Sequence, residues 1–216
     1  MKLMIAIPSV DYMHVETVKC LMAMVKRLNE EGVEHEVKIC AGTLVYFARN
    51  NLAREAIEGG FSHVLWLDAD MVFSPDVVGD LAFCGKDIVC GVFQSRRKPF
   101  HSCMFKQIMP PERWKEYPDM LFRLAGCGFG CVLMKTEALA RVKAFYGDCF
   151  TPTPECGEDL AFCKRATDLG MEIWCDPKVR VGHIAHIPIY PEDYGRAVSE
   201  ISNGEEIKEL AGEGKA

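Results

Sequence analysis

Two aspartates one residue apart, Asp68 and Asp70, end the apolar stretch FSHVLWLDADMVF at positions 61–73. In an extended chain the side chains at i and i+2 leave the same face, and a rise of about 3.3 Å per residue puts their Cα atoms roughly 6.6 Å apart. Such a pair can hold one hard cation. Mg²⁺ and Mn²⁺ prefer oxygen ligands, and Mg²⁺ keeps coordination positions for water or substrate phosphates. Aspartate is also common in the turns that end strands, so the spacing by itself leaves a turn and a metal site both open. A second acidic pair, Glu158-Asp159, starts a helical pattern. Acids in a first turn complement the helix dipole for about 0.3–1 kcal/mol each, which is a structural reason for them.

The elements around these acids follow from periodicity. Val64, Leu65, Trp66 and Leu67 are apolar on both faces, as in a central strand covered by helices on each side. Upstream, 3–7 reads as a first strand, stopped by Pro8, Ser9 and Asp11. Val15, Val18, Leu21, Met22, Val25 and Leu28 then recur at helical spacing up to Gly32. Residues 35–40 alternate, with Val37 and Ile39 on one face of a second strand. A second helix runs through Ala48, Leu52, Ala56 and Ile57 to Gly59-Gly60. Ser74 and Pro75 read as the N-cap and first residue of a third, and 87–93 is another apolar strand. The alternation predicts an α/β fold with a central, mostly parallel sheet flanked by helices.

Residues 94–119 break the pattern with Arg96, Arg97, Lys98 and the prolines 99, 110 and 111. Long irregular segments within a domain are usually functional or mobile. Strand character returns over 120–135, where Gly126, Gly128 and Gly130 leave one face bare for a close approach, or mark a bulge. Thr136 is expected to cap a helix running to Phe145, and the helix from Glu158 to bury Leu160, Cys163, Ala166 and Leu169. Residues 171–175 and 179–184 read as two more strands.

The chain of 216 residues suits one large domain, 1–190, followed by a polar tail over 191–216 with an amphipathic helix. A net charge of −6 provides no global field for nucleic acid or an anionic membrane. No apolar run approaches the ~20 residues that span a bilayer. The start, MKLMIAIPSVD, reaches Asp11 before a signal-peptide core could form. Eleven cysteines, an odd number without a CxxC, read as reduced thiols packed as small hydrophobes. A cytoplasmic protein is the expectation.

The segment GEDLAFCKRATDLGMEIWCDPKVRVGHI, 157–184, resembles the family 2 glycosyltransferases of the GT-A fold. Glu158-Asp159 opening a helix, Arg165 on it, Gly170 ending it, the Asp176-Pro177 turn and a closing His183 follow the family's order. ARNNLAREAIEGGFSHVLWLDAD is similar to the family's approach to its Asp-x-Asp motif, and GCGFGCVLMKTEAL to its glycine-rich strand. The resemblance implies a Rossmann-like nucleotide-binding half within a GT-A domain. It implies Asp70 as direct metal ligand, His183 completing the shell of Mn²⁺ or Mg²⁺, and Asp68 on the metal or the donor's ribose. Donor-binding residues would be Pro8, Asp11, Arg49, Asp68 and Ala69; Asp159 would be the base and Glu158 its support on the acceptor side. Cys40-Ala41-Gly42-Thr43 departs from the acidic, Ser-containing loop common in the family.

The implied activity moves a sugar from a nucleoside-diphosphate sugar, a UDP-sugar first, to a hydroxyl acceptor. A divalent cation suits a departing diphosphate and a carboxylate suits the attacking hydroxyl, with inversion at the anomeric carbon expected. Arg96, Arg97 and Lys98 read first as a solvated charge run, and second as a lid over the diphosphate. His63, His101 and His186 read as structural. A nucleotidyltransferase and a silent nucleotide-sugar or glycan-binding module are the alternatives.

Overall fold

The computed structural model describes residues 1–185. The expected limit at 190, the tail helix over 191–216 and His186 lie outside the described residues. The strands are β1 (Lys2–Pro8), β2 (Glu34–Cys40), β3 (His63–Leu67), β4 (Met71–Val72), β5 (Ile88–Val92), β6 (Met104–Gln107), β7 (Glu112–Arg113), β8 (Phe122–Leu124), β9 (Gly126–Cys127), β10 (Cys131–Lys135), β11 (Ile173–Arg180) and β12 (Gly182–His183). The helices are α1 (Val15–Glu30), α2 (Val45–Glu58), α3 (Val77–Phe83), α4 (Thr136–Tyr146) and α5 (Glu158–Asp168).

Seven strands form the central sheet in the order β2-β1-β3-β10-β5-β11-β8. β1 pairs in parallel with β2 and β3, and β5 with β11. β10 runs antiparallel between β3 and β5, and β8 antiparallel at the far edge. The sheet is therefore mixed, with β1, β2, β3, β5 and β11 all pointing the same way. Residues 64–67 are fully buried, as their two-faced apolarity predicts, and Trp66 packs edge-on to Phe150. β3 and β5 deliver their carboxyl ends to one side of the sheet. The irregular segment after β5 builds a small sheet, β7-β6-β9, and the chain then returns as β10.

Several local expectations change. On α1 the buried residues are Thr17, Met24 and Leu28, whereas Val15 and Met22 are 63% and 68% exposed. Val37 and Ile39 are likewise exposed on the edge strand β2. Periodicity finds apolar rows, but at the sheet's margin only one row has something to pack against. Ser74 and Pro75 form a turn, not the first residues of a helix: Ser74 Oγ accepts from the Asp76 N–H at 3.2 Å, and α3 starts at Val77. Thr136 is the first residue of α4, and Lys135 occupies the cap position. On α5 the buried residues are Ala161, Phe162, Cys163 and Ala166, with Leu160 and Leu169 half-buried.

The two strands expected over 171–184 are instead the long β11 and the two-residue β12, with Asp176-Pro177 inside β11. The register against β5 slips there: Asp176 faces Gly91 and Arg180 faces Val92. Gly91 makes this possible, because a Cβ on it would lie 2.7 Å from the Val179 carbonyl oxygen. All eleven cysteines are free. Cys90, Cys127, Cys163 and Cys175 are fully buried, and the Cys127 N–H donates to Cys163 Sγ at 3.4 Å.

Candidate active site

Three of the acids identified by spacing, Asp68, Glu158 and Asp159, converge on one buried cation. Arg49, on α2, is 1% exposed. Its Nη2 donates to Asp68 Oδ1 at 2.8 Å, and its Nε lies 3.4 Å from Asp159 Oδ1 and 3.9 Å from Glu158 Oε1. The rings of Trp66, Phe129 and Phe150 surround the guanidinium with centroids 5.7, 5.3 and 5.9 Å away, within cation–π range. Burial alone would lower the Arg49 pKa, but Asp159, Asp68 and Glu158 together raise it. Arg49 therefore remains charged. Arg49, expected beside the nucleotide, has its guanidinium enclosed and paired with carboxylates.

Asp159 sits in the first turn of α5. Its Oδ2 accepts the Phe129 N–H at 3.2 Å, while the enclosed Oδ1 has no hydrogen-bond partner. Burial raises its pKa well above the carboxylate range; Arg49 opposes this, and the charges of Glu158 and Asp68 add to it. A carboxylate tuned upward in this way accepts protons nearer neutrality.

The glycines explain how Phe129 reaches Asp159. Gly126 belongs to β9, but Gly128 and Gly130 lie outside any strand, so the three do not share one strand face. Each is closely approached: a Cβ would meet Leu160 at 3.0 Å from Gly126, Phe93 at 3.2 Å from Gly128, and Met71 at 2.9 Å from Gly130. Close approach is thus the reason for all three.

Asp70 belongs to a second group. β12 pairs with β4, setting His183 opposite Met71, and the Ile184 N–H donates to the Asp70 carbonyl at 2.9 Å. His183 Nε2 lies 3.3 Å from Asp70 Oδ1, and its Nδ1 is 2.9 Å from the Gln94 carbonyl. A carbonyl only accepts, so Nδ1 carries the proton and Nε2 faces the carboxylate. Arg96 bonds to Asp70 Oδ2, so this member of the basic triplet is not a solvated charge. Burial would raise the Asp70 pKa, but His183 and Arg96 outweigh it and lower it. For His183, burial is outweighed by Asp70 and the pKa is raised.

No group of three His, Cys, Asp or Glu side chains close enough to hold a metal occurs among the described residues. Asp68 is turned to Arg49, leaving Asp70 and His183 as a pair. That pair still fits a hard cation completed by water and phosphate oxygens, because Nδ1 bonded to a carbonyl orients Nε2 as a metal-binding histidine requires.

The loop after β1 is tied to both neighbours. The Gly42 N–H donates to the Val10 carbonyl at 2.8 Å, and the His14 N–H to the Ala69 carbonyl at 2.9 Å. Pro8 is buried at the strand end, Asp11 exposed and Ala69 half-buried. Asn50 was legible only as the neighbour of Arg49, yet its Oδ1 accepts from the N–H groups of Cys149 and Phe150 at 3.1 and 2.8 Å. Arg165 holds the same loop through the carbonyls of Cys149 and Thr151.

Neither a family model nor a curated protein matches this chain. Among solved structures it is similar to A197 from STIV, with a TM-score of 0.61 and 18% identity over 86% of this chain and 87% of that one. Weaker similarity extends to a nucleoside-diphosphate-sugar pyrophosphorylase from Vibrio cholerae, with TM-score 0.45 and 11% identity over 83% and 75% of the two chains. It also extends to a mannose-1-phosphate geranyltransferase from Thermus thermophilus, with TM-score 0.48 and 12% identity over 84% and 76%. The A197 similarity is one of fold.

Proposed function

We propose that this protein is a metal-dependent glycosyltransferase that moves a sugar from a nucleoside-diphosphate sugar to a hydroxyl acceptor. The observation that carries the reading is the shared Arg49: it binds Asp68, at the end of β3, and lies against Asp159, about ninety residues later, so both motifs border one site. Ligands of parallel α/β sheets gather outside the carboxyl ends of the strands, which is where these residues lie. The resemblance to family 2 glycosyltransferases supports the same assignment.

In this reading the acceptor oxygen forms the new bond to the anomeric carbon. The bond to the diphosphate oxygen breaks, its electron pair leaves on the diphosphate, and the hydroxyl proton passes to Asp159. Phe129 N–H and Arg49 hold that carboxylate in position. Asp70 and His183 would hold Mn²⁺ or Mg²⁺, which would supply Lewis-acid stabilisation of the leaving diphosphate. Arg96, paired with Asp70, would add positive charge beside that carboxylate.

The test is release of nucleoside diphosphate from a panel of nucleotide sugars. Release is expected to require Mn²⁺ or Mg²⁺, to vanish in Asp70→Ala, and to fall by about 10²–10⁴ in Asp159→Asn if proton removal limits the rate. Activity unaffected by chelator and by Asp70→Ala would overturn the proposal. Pyrophosphate released from a nucleoside triphosphate would replace it with nucleotidyl transfer.

A further inference from the structure

A cleft of about 550 Å³ lies at the same edge of the sheet, bounded by the ends of β5 and β11 and by the 117–119 loop. It adjoins the Asp70–His183 pair through two of its lining residues. Gly182 precedes His183, and Gln94 supplies the carbonyl that His183 Nδ1 contacts. Gln94 Nε2 also donates to the Tyr117 hydroxyl at 3.1 Å, which in turn donates to Ser102 Oγ at 2.8 Å, so that wall is fixed by hydrogen bonds.

Lys178 and Arg180 line this cleft from β11, both exposed. Neither side chain forms an ion pair or hydrogen bond with any described residue, whereas the nearby Arg96 is tied to Asp70. In a chain of net charge −6, two cations lining one cleft give it a local positive potential that favours an anionic ligand. Asp119 is the one acid among the lining residues, leaving the cleft net positive.

We propose that this cleft binds the acceptor, and that the acceptor carries an oxyanion, a phosphomonoester or a carboxylate, which Lys178 and Arg180 hold while its hydroxyl faces the sugar. The word acceptor rests on the glycosyl-transfer reading; the oxyanion site rests on the cleft alone. Both cations lie in the stretch of β11 where its register against β5 shifts, between Asp176 and Arg180. Lys presents a point charge and Arg a planar fork, and together they bind phosphate or carboxylate oxygens without needing a metal.

The test is calorimetric titration of the full chain, in chelator and without nucleotide, using glycerol 3-phosphate, glycerate and glycerol. The charged probes are expected to bind and glycerol not; glycerol 3-phosphate alone marks a phosphate site, and glycerate binding as well marks one that also reads carboxylate. The double variant Lys178→Gln/Arg180→Gln should weaken the charged probes at least tenfold, and Lys178→Arg/Arg180→Lys should retain them. Nucleoside diphosphate binding with Mn²⁺, measured separately, should be unchanged in the glutamine variant. Charged probes binding no better than glycerol, or equally to the glutamine variant, would overturn the oxyanion site. A parallel loss of nucleoside diphosphate affinity would assign the two cations to the donor and overturn the acceptor assignment. Failure of any nucleoside diphosphate to bind would count against the glycosyltransferase reading and leave the oxyanion result standing.

Discussion

A guanidinium with 1% exposure is not screened by water, and this sets the worth of Arg49. Exposed ion pairs contribute about 0–1 kcal/mol, whereas removing one partner of a buried pair costs about 3–5 kcal/mol. Arg49→Met should therefore destabilise the fold by about 3 kcal/mol at pH 8 in urea unfolding, since it leaves Asp68 and Asp159 without a counter-charge. Asp159 is already raised to about 8 with Arg49 present, and losing the guanidinium raises it further. The added penalty therefore grows as pH rises through the parent's folded value. The gap between variant and parent should widen as pH rises from about 7 to about 9; a constant gap would mean that Arg49 acts by packing alone. Glu158→Gln addresses the same cluster through catalysis. The Glu158 charge raises the Asp159 pKa, so removing it lets Asp159 ionise at lower pH, and the acidic limb of the pH–rate profile should move down. Asp68, Asp70, Glu158 and Asp159 were legible from spacing and motif. The burial of Arg49 was not, because its neighbours Trp66, Phe129 and Phe150 come from distant segments.

Between elements, the decisive contacts are backbone approaches that sequence patterns register only as glycine. Gly91 is the clearest, because its missing Cβ admits the Val179 carbonyl where β11 slips register against β5. Gly91→Ala should cost about 1–3 kcal/mol, as overpacked interiors do, visible as a lower midpoint in thermal unfolding. Gly130→Ala meets the ends of Met71 and Phe93, which are side chains and can yield. Its stability should drop less than that of Gly91→Ala, while nucleotide-sugar turnover falls further, since Met71 and Phe93 flank Asp70 and His183. The helices and parallel strands were legible because helix and strand periods differ. The single β11 was not, since Asp-Pro ordinarily signals a turn and here lies in a bulge held by its β5 neighbour.

On the scale of the molecule, the alternation of strands and helices conveyed the α/β class, and the mixed sheet follows from the excursion after β5 that returns as β10. The 94–119 stretch was opaque because its strand β6 pairs with β9, some twenty residues on, leaving no local period. Among the described residues, no helix is long and apolar enough to cross a membrane. The free thiols carry one more consequence, in time instead of space. Cys20, Cys40, Cys84, Cys103 and Cys156 are partly accessible, while Cys90, Cys127, Cys131, Cys149, Cys163 and Cys175 are buried. Mass spectrometry after a short pulse of alkylating reagent should find the first set modified, with Cys84 and Cys103 slow because burial pushes their thiols up to about 11 and about 12. The second set reacts only when the structure opens. Cys163 rides on α5 with Asp159, and Cys90 on β5, so their separate modification rates amount to two clocks, one timing the release of α5 and the other the parting of the sheet.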